Sequence, residues 1–399
     1  NLHQRNQERI DSHAAWEWYW NFDSGIGMKA IKMKSRMSKA VYSGLVKKIC
    51  FKYDEEKVHN FFVNAGKSIE SNSLSNSFVK MMFNYQNPIL EQDLLGIKFR
   101  NPVGLSAGFD KNAELIPIME SIGFGFVEVG SVTAKPCNGN DGVRLLRIPE
   151  EKAIWVNLGL NNNGTDEISS RLKGKSFGIP FGVSIAKTNC IETLNVKIGV
   201  KDYAYSFMKF NNNHIGSYYT LNISCPNAYG GQPFSDPKLL ESLLKEVKKL
   251  KIKKPIFLKL SPDLDIINID KIIDLSEEYE VNGFICSNLT KKDIGFDTGG
   301  LSGKRLSDKS EKLLSYVYKK TRNWKNEPVL IGVGGIFSAE DAYKKIKLGA
   351  NLVQMITGMI YQGPGVISEI KYELVKLLQK DGFSNISEAV GTGYKGDLP

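Results

Sequence analysis

A thiol stands between two carboxamides at Leu221-Asn222-Ile223-Ser224-Cys225-Pro226-Asn227. A thiolate can remove a proton from carbon, and two asparagine side chains can hold a flat polar ring against it by donating and accepting hydrogen bonds. The β-rich run Tyr218-Tyr219-Thr220-Leu221 leads into the segment, and Pro226 stops the strand and turns the chain. Taken alone, the same residues also describe a strand end whose polar side chains satisfy a loop. Lys259 adds to the chemical reading because it interrupts the apolar strand Ile256-Phe257-Leu258-Lys259-Leu260. An inward ammonium is costly unless paired. The negative pyrimidine edge of a reduced flavin would pair it; the alternative is an edge lysine snorkelling outward. Two glycine sites, Gly334-Gly335 and Thr357-Gly358, follow two later apolar runs and could bring bare backbone N–H groups to a phosphate.

The elements that must position these residues recur with a regular rhythm. Apolar or β-branched runs lie at 103–107, 126–129, 181–185, 218–223, 256–260, 283–286, 329–333 and 352–356. Helical patterns fall between most of them. The clearest is Leu239, Leu240, Leu243, Leu244, Val247 and Leu250, and another starts at Ser338 with Asp341 three residues on. Eight strands alternating with helices predict an α/β fold, a (β/α)₈ TIM barrel, whose active-site groups sit just beyond the strand C-termini. Polar or glycine residues follow nearly every run, as this rule requires: Gly108-Phe109-Asp110-Lys111, Gly130-Ser131, Cys225, Ser287-Asn288, Gly334-Gly335 and Thr357-Gly358.

The chain has 399 residues, 42% of them apolar and 24% charged, enough for one large domain and a small one. Its five cysteines show no CxxC pair and its four histidines no ligand-like spacing, which argues against a disulfide framework and a metal site and for a reducing compartment. The net charge of +10 is concentrated between Asp23 and Asp54, where lysines and one arginine alternate with Ile31, Met33, Met37, Val41, Leu45 and Ile49. That pattern suits an anionic membrane surface better than nucleic acid, and a solvated helix face is the plainer alternative. No stretch is long and apolar enough to span a bilayer.

Residues 1–40 are expected to form a basic, aromatic leader, either an unstructured segment or, through Trp16, Trp18 and Trp20, an interfacial anchor. Residues 41–85 are expected to hold two short helices over 41–70 followed by a Ser- and Asn-rich linker at 71–85, residues 86–390 the barrel, and residues 391–399 a tail. So small a helical pair must lean on the barrel or on lipid.

Ala107-Gly108-Phe109-Asp110-Lys111, Glu128-Val129-Gly130-Ser131-Val132-Thr133, the Cys225 segment, Gly299-Gly300-Leu301-Ser302-Gly303 and Gly332-Val333-Gly334-Gly335-Ile336 together resemble the dihydroorotate dehydrogenase family from about residue 41 to 390. The resemblance implies an FMN enzyme that oxidises dihydroorotate to orotate in pyrimidine biosynthesis. The 41–70 pair, with Asp54-Glu55-Glu56-Lys57-Val58-His59, is similar to the membrane-associated domain of the quinone-dependent class. This implies a peripheral membrane protein, cytoplasmic apart from that contact, whose helices form a quinone tunnel lined by His59 and Arg147. By the same resemblance Ala107, Gly108, Lys111, Ser131, Lys259, Ser287, Gly303, Gly334, Gly335, Thr357 and Gly358 would hold FMN. Lys111, Asn222, Asn227 and Asn288 would hold the substrate, and Cys225 would take its C5 proton. The sequence departs from the quinone class in carrying cysteine rather than serine as base. Val156 and Leu289 also replace expected polar substrate contacts. Those departures leave open a related FMN dehydrogenase acting on another dihydro-heterocycle or amide.

Overall fold

The computed structural model describes residues 33–35, 37–228, 230–231, 233–292 and 294–394. The tryptophan cluster of the leader and the end of the tail lie outside the described residues.

Eight parallel strands close into a barrel: β1 (Val103–Leu105), β2 (Phe126–Val132), β3 (Phe181–Ile185), β4 (Tyr218–Asn222), β5 (Ile256–Leu260), β6 (Gly283–Cys286), β7 (Val329–Val333) and β8 (Leu352–Met355). They neighbour one another in chain order, and β8 pairs with β1. The eight expected strands are these eight. Helices intervene because their apolar stripes cover the sheet, as Leu240, Leu243, Leu244 and Val247 do from the helix Pro237–Lys249. The helix expected after Ser338 spans Ala339–Lys347. Ser338 Oγ accepts from Asp341 N (3.2 Å), and the Asp341 carboxylate reaches back to Phe337 N (2.9 Å).

The barrel interior is filled in layers. Phe126, Tyr218, Phe257, Ile285, Ile331 and Leu352 form the lower one, closed below by Phe99 from the hairpin Gln92–Leu94/Ile97–Phe99. Two residues further along four of these strands, on the same inward face, come Glu128, Thr220, Lys259 and Gln354. The switch from rings to polar side chains marks where core ends and site begins. A three-stranded antiparallel sheet of Leu145–Ile148, Ala153–Val156 and Gly300–Gly303 lies over the barrel mouth.

N-terminal to the barrel, residues 37–50 are helical, so the part of the presumed leader that is described belongs to a helix rather than to an unstructured segment. Helix α1 (Glu55–Ser71) starts where the Asp54 side chain accepts from Lys57 N, and its first-turn acids fasten it to the sheet over the mouth. Glu56 pairs with Arg144, and Glu55 accepts from Arg147 N (3.2 Å). The linker expected at 71–85 is instead helix α2 (Ser73–Phe83). Asn72 caps it by accepting from Leu74 N and Ser75 N, and Val79 and Phe83 pack on the main core. Serine and asparagine served here as caps and spacers within an apolar helical repeat.

Lys371, on the barrel helix Gly365–Asp381, ties that helix to the loop before β2. Its fully buried ammonium donates to Gly123 O (2.7 Å), and burial brings its pKa down to about 7. Unfolded, the side chain titrates near ~10.4. Between those values the unfolded chain holds a proton that the folded chain lacks, so this residue makes stability rise with pH. Below about pH 7 both states are protonated and its contribution is flat. Lys371→Met is expected to remove a slope of about 1 kcal/mol per pH unit over that window. Urea unfolding of wild type and variant at pH 7, 8 and 9 measures it; parallel pH profiles would refute the assignment.

Candidate functional site

The strand ends of the barrel open into a cavity of about 520 Å³. Every residue singled out in the sequence lines it: Ala107, Gly108, Lys111, Ser131, Asn222, Cys225, Asn227, Lys259, Ser287, Asn288, Gly303, Gly334, Gly335, Thr357 and Gly358, with His59 and Arg147 toward the N-terminal helices. From the mouth the cavity runs past Phe109 and His59 to Val58, Phe62 and Ala65 of α1 and Val79 and Phe83 of α2.

The segment after β1 is shaped by Asp110, which is buried and accepts from Glu114 N (2.8 Å) and Leu115 N (2.9 Å). Those bonds turn the chain and leave Lys111 facing the cavity. Burial lowers the Lys111 pKa to about 8, against the pull of Glu56. After β4 the carboxamides are fixed by neighbouring strands. Asn222 Nδ2 donates to Ser131 Oγ (2.8 Å), and Asn288 Nδ2 donates to Ser224 O (3.0 Å). The Tyr203 hydroxyl holds the Asn222 carbonyl (2.8 Å). Burial pushes the Cys225 thiol up, opposed by the N–H groups of Asn227 and Ala228 and by the ammonium groups of Lys259 and Lys187.

Lys259 is buried, with Nζ 3.4 Å from Ser106 Oγ, so the outward-snorkelling alternative is set aside. Burial depresses its pKa, while Glu128 and Cys225 favour the charged form. Glu128, fully buried beneath it, accepts from Gln354 Nε2 (3.0 Å), Thr220 Oγ1 (3.3 Å) and Tyr218 Oη (3.4 Å). Sequence reasoning missed Ser106, Glu128 and Gln354 as parts of this floor. Gln354 carried the same signal as Lys259, a polar residue inside an apolar strand.

Three carboxamide oxygens at the cavity, Asn161 Oδ1, Asn227 Oδ1 and Gln354 Oε1, are buried with no hydrogen-bond partner among the described residues. Buried acceptors are normally paired, so unpaired ones at a cavity wall point to a ligand that donates. Asn161 too was not singled out from sequence. Val156 and Leu289 line the cavity as apolar contacts, whereas the Asn157 side chain accepts from Asn140 Nδ2 (2.8 Å).

The glycines after β7 form a bare cradle. Gly334 and Gly335 have φ of +108° and +73°, and a Cβ on Gly335 would stand 1.8 Å from Ser307 Oγ. Beside them Thr357 Oγ1 lies 2.8 Å from Ser302 Oγ. Backbone donors, a serine, a threonine and the buried Lys259 suit a phosphorylated flavin. Gly335→Ala is expected to weaken flavin retention by at least about tenfold through overpacking; flavin fluorescence released on dialysis measures it, and unchanged retention would remove this loop from the phosphate site.

The His59 ring meets Phe109 edge-on at 5.0 Å between centroids, and burial with Lys111 nearby lowers its pKa to about 3, so it is a neutral imidazole. Arg147 donates to Cys50 O (2.9 Å) and Tyr53 O (2.8 Å), pinning the turn before α1 to the sheet. Among the described residues no three His, Cys, Asp or Glu side chains gather closely enough to hold a metal ion.

The family model for dihydroorotate dehydrogenase matches residues 89–378. The dihydroorotate dehydrogenase (quinone) of Gloeobacter violaceus is 35% identical over 88% of this chain and 98% of its own length. That of Helicobacter acinonychis is 37% identical over 88% of this chain and 99% of its length. The crystal structure of DHODH from Eimeria tenella in complex with ferulenol superposes with a TM-score of 0.77 at 29% identity, covering 86% of this chain and 96% of that one.

Proposed function

The chain belongs to the dihydroorotate dehydrogenase family, and from that premise we propose that it oxidises dihydroorotate to orotate in pyrimidine biosynthesis, with FMN as its flavin and a membrane quinone as electron acceptor. The observation that carries the reading is the single cavity. It joins a thiol ringed by carboxamides at the barrel mouth to an apolar passage between α1 and α2. A site that served only a soluble acceptor would not need that passage. Relatives named for dihydroorotate match across most of the chain, which sets aside a different dihydro-heterocycle or amide as substrate.

FMN fits the residues present. Ala107, Gly108, Lys111, Ser131, Lys259, Ser287, Gly303, Gly334, Gly335, Thr357 and Gly358 would hold it, with the glycine cradle taking the phosphate and Lys259 the pyrimidine edge. The chemistry FMN supplies when bound is acceptance of the C6 hydride and delivery of the electron pair to quinone. The chain's own residues do the rest. Asn222, Asn227, Asn288 and Lys111 grip the polar edge of the dihydro ring, and the Cys225 sulfur takes the C5 proton. The apolar residues of α1 and α2 exclude water from the passage, and neutral His59 offers a hydrogen bond within it.

Residues 41–85 would form the quinone tunnel and membrane contact, and 86–390 the catalytic barrel. Met33, Met37, Val41, Leu45 and Ile49 recur every four residues and are all exposed, as are Phe61 on α1 and Leu74, Phe78 and Met81 on α2. Helix faces this apolar, with Lys34, Lys48, Lys52 and Lys57 interspersed, suit a protein lying on an anionic membrane. No helix among the described residues is long and apolar enough to cross one. The protein would then sit peripherally on the cytoplasmic face of the inner membrane. Anaerobic titration tests the whole reading. Dihydroorotate should bleach the bound flavin, and quinone, rather than fumarate or NAD, should restore its colour. A flavin that stays oxidised at millimolar dihydroorotate would overturn it.

A further inference from the structure

A buried ammonium stands behind the glycine cradle. Lys345 lies in the last turn of the helix Ala339–Lys347 and is fully buried, which is rare for a lysine. Its stem passes against β7, where a Cβ on Gly332 would stand 3.2 Å from Lys345 Cβ and Cδ. The ammonium donates to Ser310 Oγ (2.5 Å), on the helix Ser307–Thr321, and that hydroxyl donates to Gly334 O (3.5 Å). One turn earlier on the same helix, Ser307 Oγ donates to Gly335 O (3.4 Å). Gly334 and Gly335 line the cavity, whereas Lys345 and Ser310 do not, so this chain of bonds reaches the cradle from behind. The charged and titratable groups that act on the ammonium leave it charged at neutral pH, with a pKa that burial brings down to about 8. Glu311 stands 3.9 Å from Lys345 Nζ but 2.7 Å from Lys344 Nζ, so one carboxylate is shared by two lysines. Asp341 is paired with Lys304 (2.6 Å), and burial pushes the Cys286 thiol on β6 far up, keeping it neutral.

We propose that Lys345 is a positioning residue for the flavin phosphate, an ammonium that acts through Ser310 and the Gly334 carbonyl on the peptide N–H offered to that phosphate. The inference rests on the reading of the cavity as an FMN site. Gly334 C=O and Gly335 N–H are the two ends of one planar, resonant peptide group. A hydroxyl that donates to the carbonyl end draws electron density toward it and makes the N–H end a stronger donor, and bonds linked in this way reinforce one another. Ser310 is itself polarised by a full positive charge at 2.5 Å, and charge-assisted bonds are the stronger kind. The ammonium also places positive charge behind the cradle in a water-poor interior, where salt screens it little. A lysine that only pinned its helix could end on a backbone carbonyl, as Lys371 does on Gly123 O. Lys345 ends instead on a hydroxyl that passes the polarisation on to the loop.

The test compares FMN with riboflavin, which carries the same ring system without the phosphate. Dissociation constants for both are read from flavin fluorescence on the full chain, freed of bound flavin by dialysis. Lys345→Met keeps an apolar stem without the charge; it should weaken FMN about tenfold and leave riboflavin within about twofold of wild type. Ser310→Ala breaks the relay at its middle and should do the same. Because the two side chains act in series, the double variant should lose no more than about the larger single loss. Should Lys345→Met not fold, Ser310→Ala carries the comparison of the two flavins. Equal weakening of FMN and riboflavin would show a packing role and overturn the proposal. Undiminished FMN binding, or losses that multiply in the double variant, would overturn it too. A wild-type chain that takes up no FMN would sink the functional reading itself, whereas normal wild-type binding with unshifted variants would sink this inference alone.

Discussion

Cys225→Ala is expected to slow flavin bleaching by dihydroorotate about a thousandfold, within the range lost when a positioned base is removed. Asn222, Asn227, Asn288 and Lys111 are untouched by the change, so orotate should still bind and perturb the flavin spectrum at wild-type concentrations. Stopped-flow bleaching under anaerobic conditions separates the two effects. Equal losses in bleaching and in orotate binding would mean that Cys225 shapes the site rather than taking the proton. The wild-type profile has a definite sign. The sulfur must be deprotonated to accept, and its pKa is raised by burial. Bleaching should therefore climb tenfold per pH unit from neutral pH through the ordinary thiol range near ~8.5, and level off above it. Cys225→Ser should show no such limb in this range, since a serine hydroxyl does not ionise there.

Ala65→Trp is expected to divide the catalytic cycle in two. Ala65 lines the passage on α1, level with the apolar residues between that helix and α2, and far along the chain from every residue that would touch the substrate. Filling the passage should leave dihydroorotate bleaching within about twofold of wild type and slow reoxidation by a long-chain quinone about a hundredfold, the scale of loss that misplacing a reactant produces. A small soluble acceptor reaching the flavin from the mouth should still work. Equal slowing of both halves would show that the variant disturbs the barrel; no slowing of reoxidation would show that quinone enters elsewhere.

Much of the barrel could be read from the chain because its signals are local. A buried parallel strand must be an apolar run, the helix after it must carry an apolar stripe, and polar residues can be afforded only where the strand leaves the core. Cys225, Lys259 and Gly334-Gly335 stood out by breaking those runs at the right end. Helix α2 was missed because Ser73, Ser75 and Asn76 resemble linker composition. Its evidence was the spacing of Leu74, Phe78 and Met81 behind an Asn72 cap, a weaker signal when the apolar face is left exposed.

The amino-acid sequence determined the order of strands, the end of the barrel where chemistry occurs, and the side chains offered to it, because each of these follows from neighbours a few residues apart. Only the tertiary structure decided that α1 and α2 share one cavity with Cys225 and that Glu128 lies beneath Lys259. Those relations join residues tens to hundreds of positions apart. Distances of that kind are set by closure of the sheet and by how buried charges find partners, and no local pattern in the chain encodes them.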